Sequence, residues 1–421
     1  MKVLKILSLI GPMFFLSMAV AAQEKLSIDS CQAMAERNYP LIKQYELIEQ
    51  SREFNLSNAG KAYLPQLSVT GIGAYIFSGL PSISLPGLPE QEENKANLIG
   101  IGQLNQTLWD GGATRTQKQI IEAQSEIEKS NIAVALHGVK ERVNQLFFGV
   151  LLIDEQLSQL QIHKNLLTKN LNRVSLSKEN GLAYQSDVDE LKAEVLLVDQ
   201  RKTEFLYTRK AYVRMLSLLV GKELNDNIQL EIPVGLSSSN YSIIRPELQL
   251  YANQRLLTSA QSSISRVNTM PKVGLLGAGI LAAPGIVFGT SEVSSLALGG
   301  LSVSWNIGGL YKTSNNRQLN QLSLSRIANQ EEVFLFNTNQ QLTQISAESE
   351  KFSAIIESDQ QILDLRSGIR EAFQMKYDNG LCSLYDLLNA TDREQEARAN
   401  KALHHIQWLM SIYQFKATSG N

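Results

Sequence analysis

Hydrophobic positions in this chain fall into two textures, and the same order of textures occurs twice. Over 66–77, 97–110, 272–282 and 294–307, apolar residues and glycines alternate with period two, which predicts four strands. Leu67, Val69, Gly71, Gly73, Tyr75 and Phe77 share one face of the first; Leu301, Val303, Trp305 and Ile307 share one face of the last. Over 113–178 the period becomes helical. From Val139 through Val143, Leu146, Val150 and Ile153 to Leu167, Leu171 and Val174, positions step by 4 and 3, with Lys164 the one polar member. This is a heptad seam. After Asn180-Gly181 it resumes at Val188, Leu191, Val195 and Val198, predicting a return helix over 186–219. A second pair of helices is predicted over 311–376 and 384–416, with a weaker seam through Leu342, Ile345, Phe352 and Ile356. At 1.5 Å per residue the outgoing helix reaches about 100 Å, a rod out of place in a compact enzyme. Phe147, Phe148, Leu151 and Leu152 widen the apolar stripe beside the seam, which suits a cylinder of helices better than a two-stranded rod.

The repetition is explicit in the residues. At an offset of 206, Pro40 falls on Pro246, Tyr45 on Tyr251, Pro65 on Pro271, Gly71 on Gly277 and Gly73 on Gly279. Asn180-Gly181-Leu182 matches Asn379-Gly380-Leu381 at an offset of 199, and Gly221 then matches Gly420. An internal repeat defines the structural unit. The expected organisation is a first copy over 23–221, a connector over 222–245 containing Ser237-Ser238-Ser239, and a second copy over 246–421. Each copy is a β-hairpin carrying a long helical hairpin, and the fold class is mostly α with β. Asn-Gly supplies a left-handed stop at each helix end, and Ser186 or Asp187 is the expected N-cap of the first return helix.

Residues 1–22 read as a secretory signal: Lys2 and Lys5, then an apolar stretch from Ile6 to Val20, then Ala21-Ala22 as the exit. No cysteine stands at that exit, so no lipid anchor is expected there. Removing Lys2 and Lys5 from the 39 basic residues leaves 37 against 41 acidic ones, a balance that argues against nucleic acid as a partner. Cys31 and Cys382 occupy non-equivalent places in the two copies, so no disulfide scaffold or zinc ribbon is predicted. The four histidines, His137, His163, His404 and His405, all fall on predicted long helices without a His-Glu-x-x-His spacing. No catalytic set, metal site or cofactor is expected.

Beyond the signal, no apolar run is long enough for a spanning helix, but barrel strands need only about 9–11 alternating residues. Trp109 and Trp305 stand at matching ends of the two hairpins, with Tyr75 and Phe77 at the opposite end, where rings would mark the two water–lipid boundaries. Four strands cannot close a barrel, and open edges are not viable in lipid. Several chains must therefore share one barrel; the residues alone leave two or three open.

Two tip motifs carry a resemblance: Asn180-Gly181-Leu182 with Asp187-Val188, and Tyr377 with Gly380-Leu381, Asp386-Leu387-Leu388 and Ala390. In spacing and type the chain resembles the TolC-type outer-membrane efflux proteins over essentially its whole length. The resemblance implies a homotrimer, with a 12-stranded outer-membrane barrel continuous with a periplasmic α-helical barrel. It implies a passive gated conduit that meets a periplasmic adaptor (membrane fusion) protein and, through it, an inner-membrane transporter. Gly181, Leu182, Gly380 and Leu381 fall where the family's tips contact the adaptor. Asp386 falls where the family projects an acidic ring into the pore entrance, with Asp187 and Asn389 beside it; Cys382 and Asn389 replace residues that are charged in some relatives. The competing expectation is an extracytoplasmic structural coiled coil or adhesin, which accounts for the helices but not for four matched strands.

Overall fold

The computed structural model describes residues 25–75, 77, 96–234, 242–283 and 293–421. The expected signal segment 1–22 and the serine run of the connector lie outside these residues. Among the described residues, eleven α-helices and strands follow one another: helices α1 (Ile28–Asn38) and α2 (Gln44–Gly60); strands β1 (Gln66–Tyr75) and β2 (Ala96–Trp109); helices α3 (Ala113–Glu179), α4 (Gln185–Val220) and α5 (Pro246–Val267); strands β3 (Lys272–Ala283) and β4 (Ser294–Ser304); and helices α6 (Thr313–Asp378) and α7 (Leu384–Ser419). The protein is mostly helical with one small antiparallel sheet.

The chain divides into two compact units, and α3, α6 and α7 each contribute to both. One unit comprises residues 39–140, 238–348 and 414–421 and contains the sheet. Its strands form an antiparallel meander in the order β1-β2-β3-β4. Gly71 pairs with Gly100 and Gly277 with Gly299, so glycines meet across the strands and let the sheet twist sharply. The strand expected to run to Ile307 ends instead at Ser304. Asn306 Oδ1 accepts the Gly309 amide at 3.2 Å and turns the chain into a 3₁₀ segment, Ile307–Lys312. Trp305 and Ile307 thus leave the strand, and the Trp305 indole donates to the Thr269 carbonyl at 2.9 Å. β1 also ends two residues short of Phe77, which sits in a bend.

At the matching point of the first copy, Asp110 closes β2 and starts α3. Its carboxylate accepts the amides of Gly112 (2.9 Å), Ala113 (3.1 Å) and Thr114 (2.7 Å) and the Tyr63 hydroxyl (2.9 Å). Burial alone would raise its pKa. The Thr114, Tyr63 and Gly112 donors outweigh burial and hold it at about 2. Gly111 and Gly112, at φ of 72° and 93°, make the turn that aims these amides inward.

The other unit comprises residues 1–38, 141–237 and 349–413 and is helical. The heptad seam packs as its spacing requires: Leu160, Leu167 and Val174 of α3 meet Val188, Leu191 and Val198 of α4, joined by Leu384 and Leu388 of α7. The apolar pair beside the seam is used too. Phe147 and Phe148 are fully buried, and Phe148 lies 5.5 Å from the Tyr413 ring. Gly149 does not break α3 because the Tyr212 ring occupies the place of a side chain; a Cβ there would lie 2.7 Å from it. Polar pairs register the helices: Lys164 with Asp199 at 2.5 Å between α3 and α4, and His404 with Asp359 at 2.6 Å between α7 and α6. Cys31 and Cys382 are both free thiols, and burial pushes Cys31 up to about 12.

Candidate functional site: the helix-turn-helix tips

Each tip is built from backbone geometry first. At the end of α3 the Gly181 amide donates to the Lys178 carbonyl (2.9 Å) and the Leu182 amide to Ser177 (2.8 Å), with Gly181 at φ 73°. At the end of α6 the Gly380 amide donates to Tyr377 (3.0 Å) and Leu381 to Lys376 (2.8 Å), with Gly380 at φ 71°. Both are Schellman stops, in which a glycine takes the left-handed conformation without a Cβ penalty. The preceding asparagines repeat as well: the Asn180 and Asn379 side-chain amides donate back to Leu176 and Met375 at 2.9 and 2.7 Å. No other atoms crowd Gly181 or Gly380. Leu182 and Leu381 stand out at 81% and 75% exposure.

The return helices start differently. The N-cap of α4 is Tyr184 rather than Ser186 or Asp187, and Asp187, at the third helical position, accepts the Tyr184 amide at 3.0 Å. At α7 the chain forms a reciprocal box. Asp386 Oδ2 accepts the Ser383 amide (3.1 Å) and hydroxyl (2.6 Å), while the Asp386 amide donates back to Ser383 Oγ at 3.2 Å. The Ser383 hydroxyl and amide hold the Asp386 carboxyl below the usual carboxylate range. The carboxylate expected at the pore entrance therefore caps α7. Asn389 is half-buried and accepts Arg393 Nε at 2.9 Å.

The two tips meet within this unit. Arg173 of α3 pairs with Asp378 at the end of α6. Tyr377 packs against the α3–α4 core; burial raises its phenol, and the nearby Asp187 and Asp378 carboxylates raise it further. Behind the second tip, Glu394 of α7 binds Arg370 Nε (2.8 Å), Arg398 (2.6 Å) and the Ser367 hydroxyl (2.7 Å). Burial opposes its charge, but Arg398, Arg370 and Ser367 outweigh burial and keep its pKa lowered. Sequence reading missed this cluster and the Arg173–Asp378 link, because pairs between α6 and α7 and between α3 and α6 carry no local signal; the i,i+4 spacing of Glu394 and Arg398 was the one sign available. Among the described residues no group of histidine, cysteine and carboxylate side chains could hold a metal.

In the sheet unit, the expected boundary aromatics separate by context. Tyr75 closes β1 and stacks edge-on against Phe77 at 5.0 Å, and Phe77 is almost fully exposed. Trp109 would fall on the face of Ile99 and Ile101 by simple alternation. An irregularity between Thr107 and Trp109 shifts the register so that Trp109 pairs with Val273, which shares its face with Val303. No described helix is long and apolar enough to cross a membrane. The apolar face that could meet lipid belongs to the sheet, where Leu67, Val69, Leu98, Leu301 and Val303 are 66–78% exposed.

No family model and no curated protein matches the chain. Solved structures do match over nearly its whole length. The outer-membrane channel OprN shares 12% identity at a TM-score of 0.69, covering 93% of this chain and 89% of that one. The outer membrane protein VceC from Vibrio cholerae shares 13% at 0.66, covering 94% and 96%. The open-state MtrE outer membrane channel of Neisseria gonorrhoeae shares 13% at 0.66, covering 94% and 89%. OprN and MtrE are both outer-membrane channels. The chain has the fold of these outer-membrane channels, and the resemblance to TolC-type efflux proteins read from its two tips is borne out at the level of fold.

Proposed function

We propose that the protein is the outer-membrane channel component of a tripartite efflux or secretion system, a passive gated conduit from a periplasmic adaptor and inner-membrane transporter to the cell exterior. The observation that carries this reading is the four-stranded meander, whose outer strands β1 and β4 each have one unpaired edge. Such edges are not tolerated in hydrocarbon. Three chains, each contributing four strands, make the closed 12-stranded barrel that the resemblance to TolC-type proteins implies, and the fold shared with outer-membrane channels supports a membrane location for the sheet. The copies 23–221 and 246–421 then each supply one strand pair and one helical hairpin.

The tips are the periplasmic entrance in this reading. Leu182 and Leu381, held outward by the Schellman turns, are apolar contacts for the adaptor. Three copies of Asp386 converge on the axis, where carboxylates bind cations and repel anions, with Asp187 and Asn389 nearby. The Ser383 bonds that lower its pKa keep the Asp386 charge in place at neutral pH. Opening is separation of the tips after adaptor contact, with Arg173–Asp378 a pair that either survives or breaks. Single-channel recording of the purified protein in planar bilayers tests the assignment. Wild type should conduct with cation preference, and Asp386→Ala should reduce that preference; absence of conductance would remove the channel reading, and unchanged selectivity would remove Asp386 from the entrance.

A further inference from the structure

Behind the tips, one junction of three helices carries charges that the repeat does not call for. His163 of α3 is 7% exposed and is faced by Glu194 and Arg201 of α4 and by Asp392 and Glu394 of α7. The other three histidines are engaged. His137 Nε2 lies 2.7 Å from the Ala417 carbonyl, His404 Nδ1 lies 2.6 Å from Asp359, and His405 stacks on Trp408. The His163 ring makes no hydrogen bond among the described residues. Its nearest described carboxylate, Asp392, stands off with 3.9 Å between Nε2 and Oδ1, beyond hydrogen-bond range. Neighbouring polar groups on α3 are unsatisfied as well. Gln159 Oε1, one turn before His163, and Asn170 Nδ2, two turns after it, are buried without partners, so the junction holds hydrogen bonds that a small approach of the helices could make.

The second copy does without this polarity. At the offset of 199, His163 falls on Ile362, Asn170 on Ile369, Asp392 on Ala193 and Glu394 on Val195. Aliphatic side chains therefore suffice to build such a helix, and an imidazole in place of isoleucine brings a charge that can be switched. Most charges around it are already engaged. Glu394 is held by Arg370 and Arg398, and Lys164, beside His163, by Asp199. Asp392 is 60% exposed at its side chain and has no other ion pair among the described residues. Burial is the largest influence on His163 and lowers its pKa; Glu194 and Glu394 oppose that, and Arg201 adds to it. Burial raises the Glu194 carboxyl, and the Asp392 and Glu190 charges raise it further. As packed here, the junction favours the neutral ring.

We infer that His163 and Asp392 form an acid-operated clasp, in which a proton on His163 draws Asp392 of α7 onto α3 and holds the two tips together. Glu194 supplies a second negative charge beside the ring. A conformer that brings Asp392 within hydrogen-bond distance binds the proton more tightly than the one described, so acid shifts the population toward it. The gain is complete below the imidazole pKa of the loose form and is lost as pH rises through that of the clasped form. The clasp itself concerns one chain. Its effect on conduction rests on the channel reading above, in which opening separates the tips.

Hydrogen exchange of the purified full-length protein, read by mass spectrometry and corrected for the intrinsic effect of pH, tests the clasp without any current. From about pH 8 to about pH 5, the range in which imidazole changes charge, the first turns of α7 should become more protected. The gain should reach about tenfold for a contact that raises the ring's pKa by one unit. His163→Gln and His163→Ile should abolish this dependence. Asp392→Asn, at an exposed side chain, should abolish it too while keeping wild-type protection at the upper pH, and it decides alone if the His163 variants do not fold. Protection indifferent to pH in the wild type would overturn the clasp. Dependence that survives His163→Gln would assign it to another histidine, and dependence that survives Asp392→Asn would remove Asp392 as the partner; either refutes the inference. In planar bilayers the open probability of the wild type should fall over the same range and that of Asp392→Asn should not. An open probability unmoved by pH while α7 tightens would refute the hold on the tips. Acid protection of α7 in a protein that never conducts would remove the channel reading and leave the clasp standing.

Discussion

The two copies stop their outgoing helices in the same way and begin their helices differently. At both tips an asparagine, a left-handed glycine and an exposed leucine give the same pair of backbone bonds, within 0.1 Å of each other. At the starts the copies diverge. α3 begins on a carboxylate with four donors, Asp110, where the second copy has Asn306 with one amide and a 3₁₀ turn. α7 begins on a reciprocal Ser383–Asp386 box, where α4 has Tyr184 and only the Asp187 half. A helix stop needs a backbone conformation, which one glycine supplies, whereas a start needs side-chain acceptors for orphan amides. The stops could therefore stay identical while the starts drifted, leaving a strong strand-to-helix joint in the first copy and a strong tip in the second.

Substitutions that exchange these features sharpen the contrast. The largest effect is expected for Asp110→Asn, which converts the first joint toward the second and should cost about 2 kcal/mol in denaturant unfolding. The same residue sets an acid dependence. Its folded pKa of about 2 lies below the ordinary carboxylate value of roughly 4. Its contribution is therefore complete above about pH 4 and falls away as pH drops toward 2; Asp110→Asn should flatten stability across that window. Gly181→Ala and Gly380→Ala come next, each costing about 1 kcal/mol because alanine resists φ near +70°. Equal losses at the two sites are the point, and a twofold disparity would show that the stops are not equivalent.

Smaller effects separate the starts. Ser383→Ala should cost up to about 1 kcal/mol and speed amide exchange in the first turn of α7, whereas Tyr184→Ala should leave α4 almost unchanged, since its bond to Asp187 is made by the backbone amide. Tyr184→Ser should gain a few tenths of a kcal/mol by completing the box in the first copy. If Tyr184→Ala and Ser383→Ala destabilise equally, the difference between the two starts carries no energetic weight.

Much of this was legible in the sequence because it depends on local spacing. The Asn-Gly stops are single-residue backbone events, and the 4–3 seam places Leu167, Val174 and Leu191 in the core they occupy. The strands' alternation exposed the apolar face through Leu67, Val69 and Leu301. What was not legible depends on side chains that reach across gaps. Asn306 bends the chain away before Trp305 and Ile307 can extend β4, and Tyr184 rather than a serine or aspartate occupies the first N-cap. The register irregularity at Thr107 moves Trp109 to the opposite face, which alternation alone cannot anticipate. Arg370 and Ser367 of α6 reach Glu394 of α7 across a gap that no local spacing marks, although the Glu394–Arg398 pair within α7 has the i,i+4 spacing that sequence can show.

The conduit exists only if several chains pool their strands. The most direct check is native mass spectrometry of the protein extracted from the outer-membrane fraction. Three copies of the mature chain in one complex are predicted: the open edges of each four-stranded sheet require several chains to pool their strands, and the resemblance to TolC-type proteins sets the number at three. A dimer from that fraction would contradict the trimer, and a monomer, or recovery only as a soluble periplasmic species, would contradict barrel closure and return the long helices to a coiled-coil role.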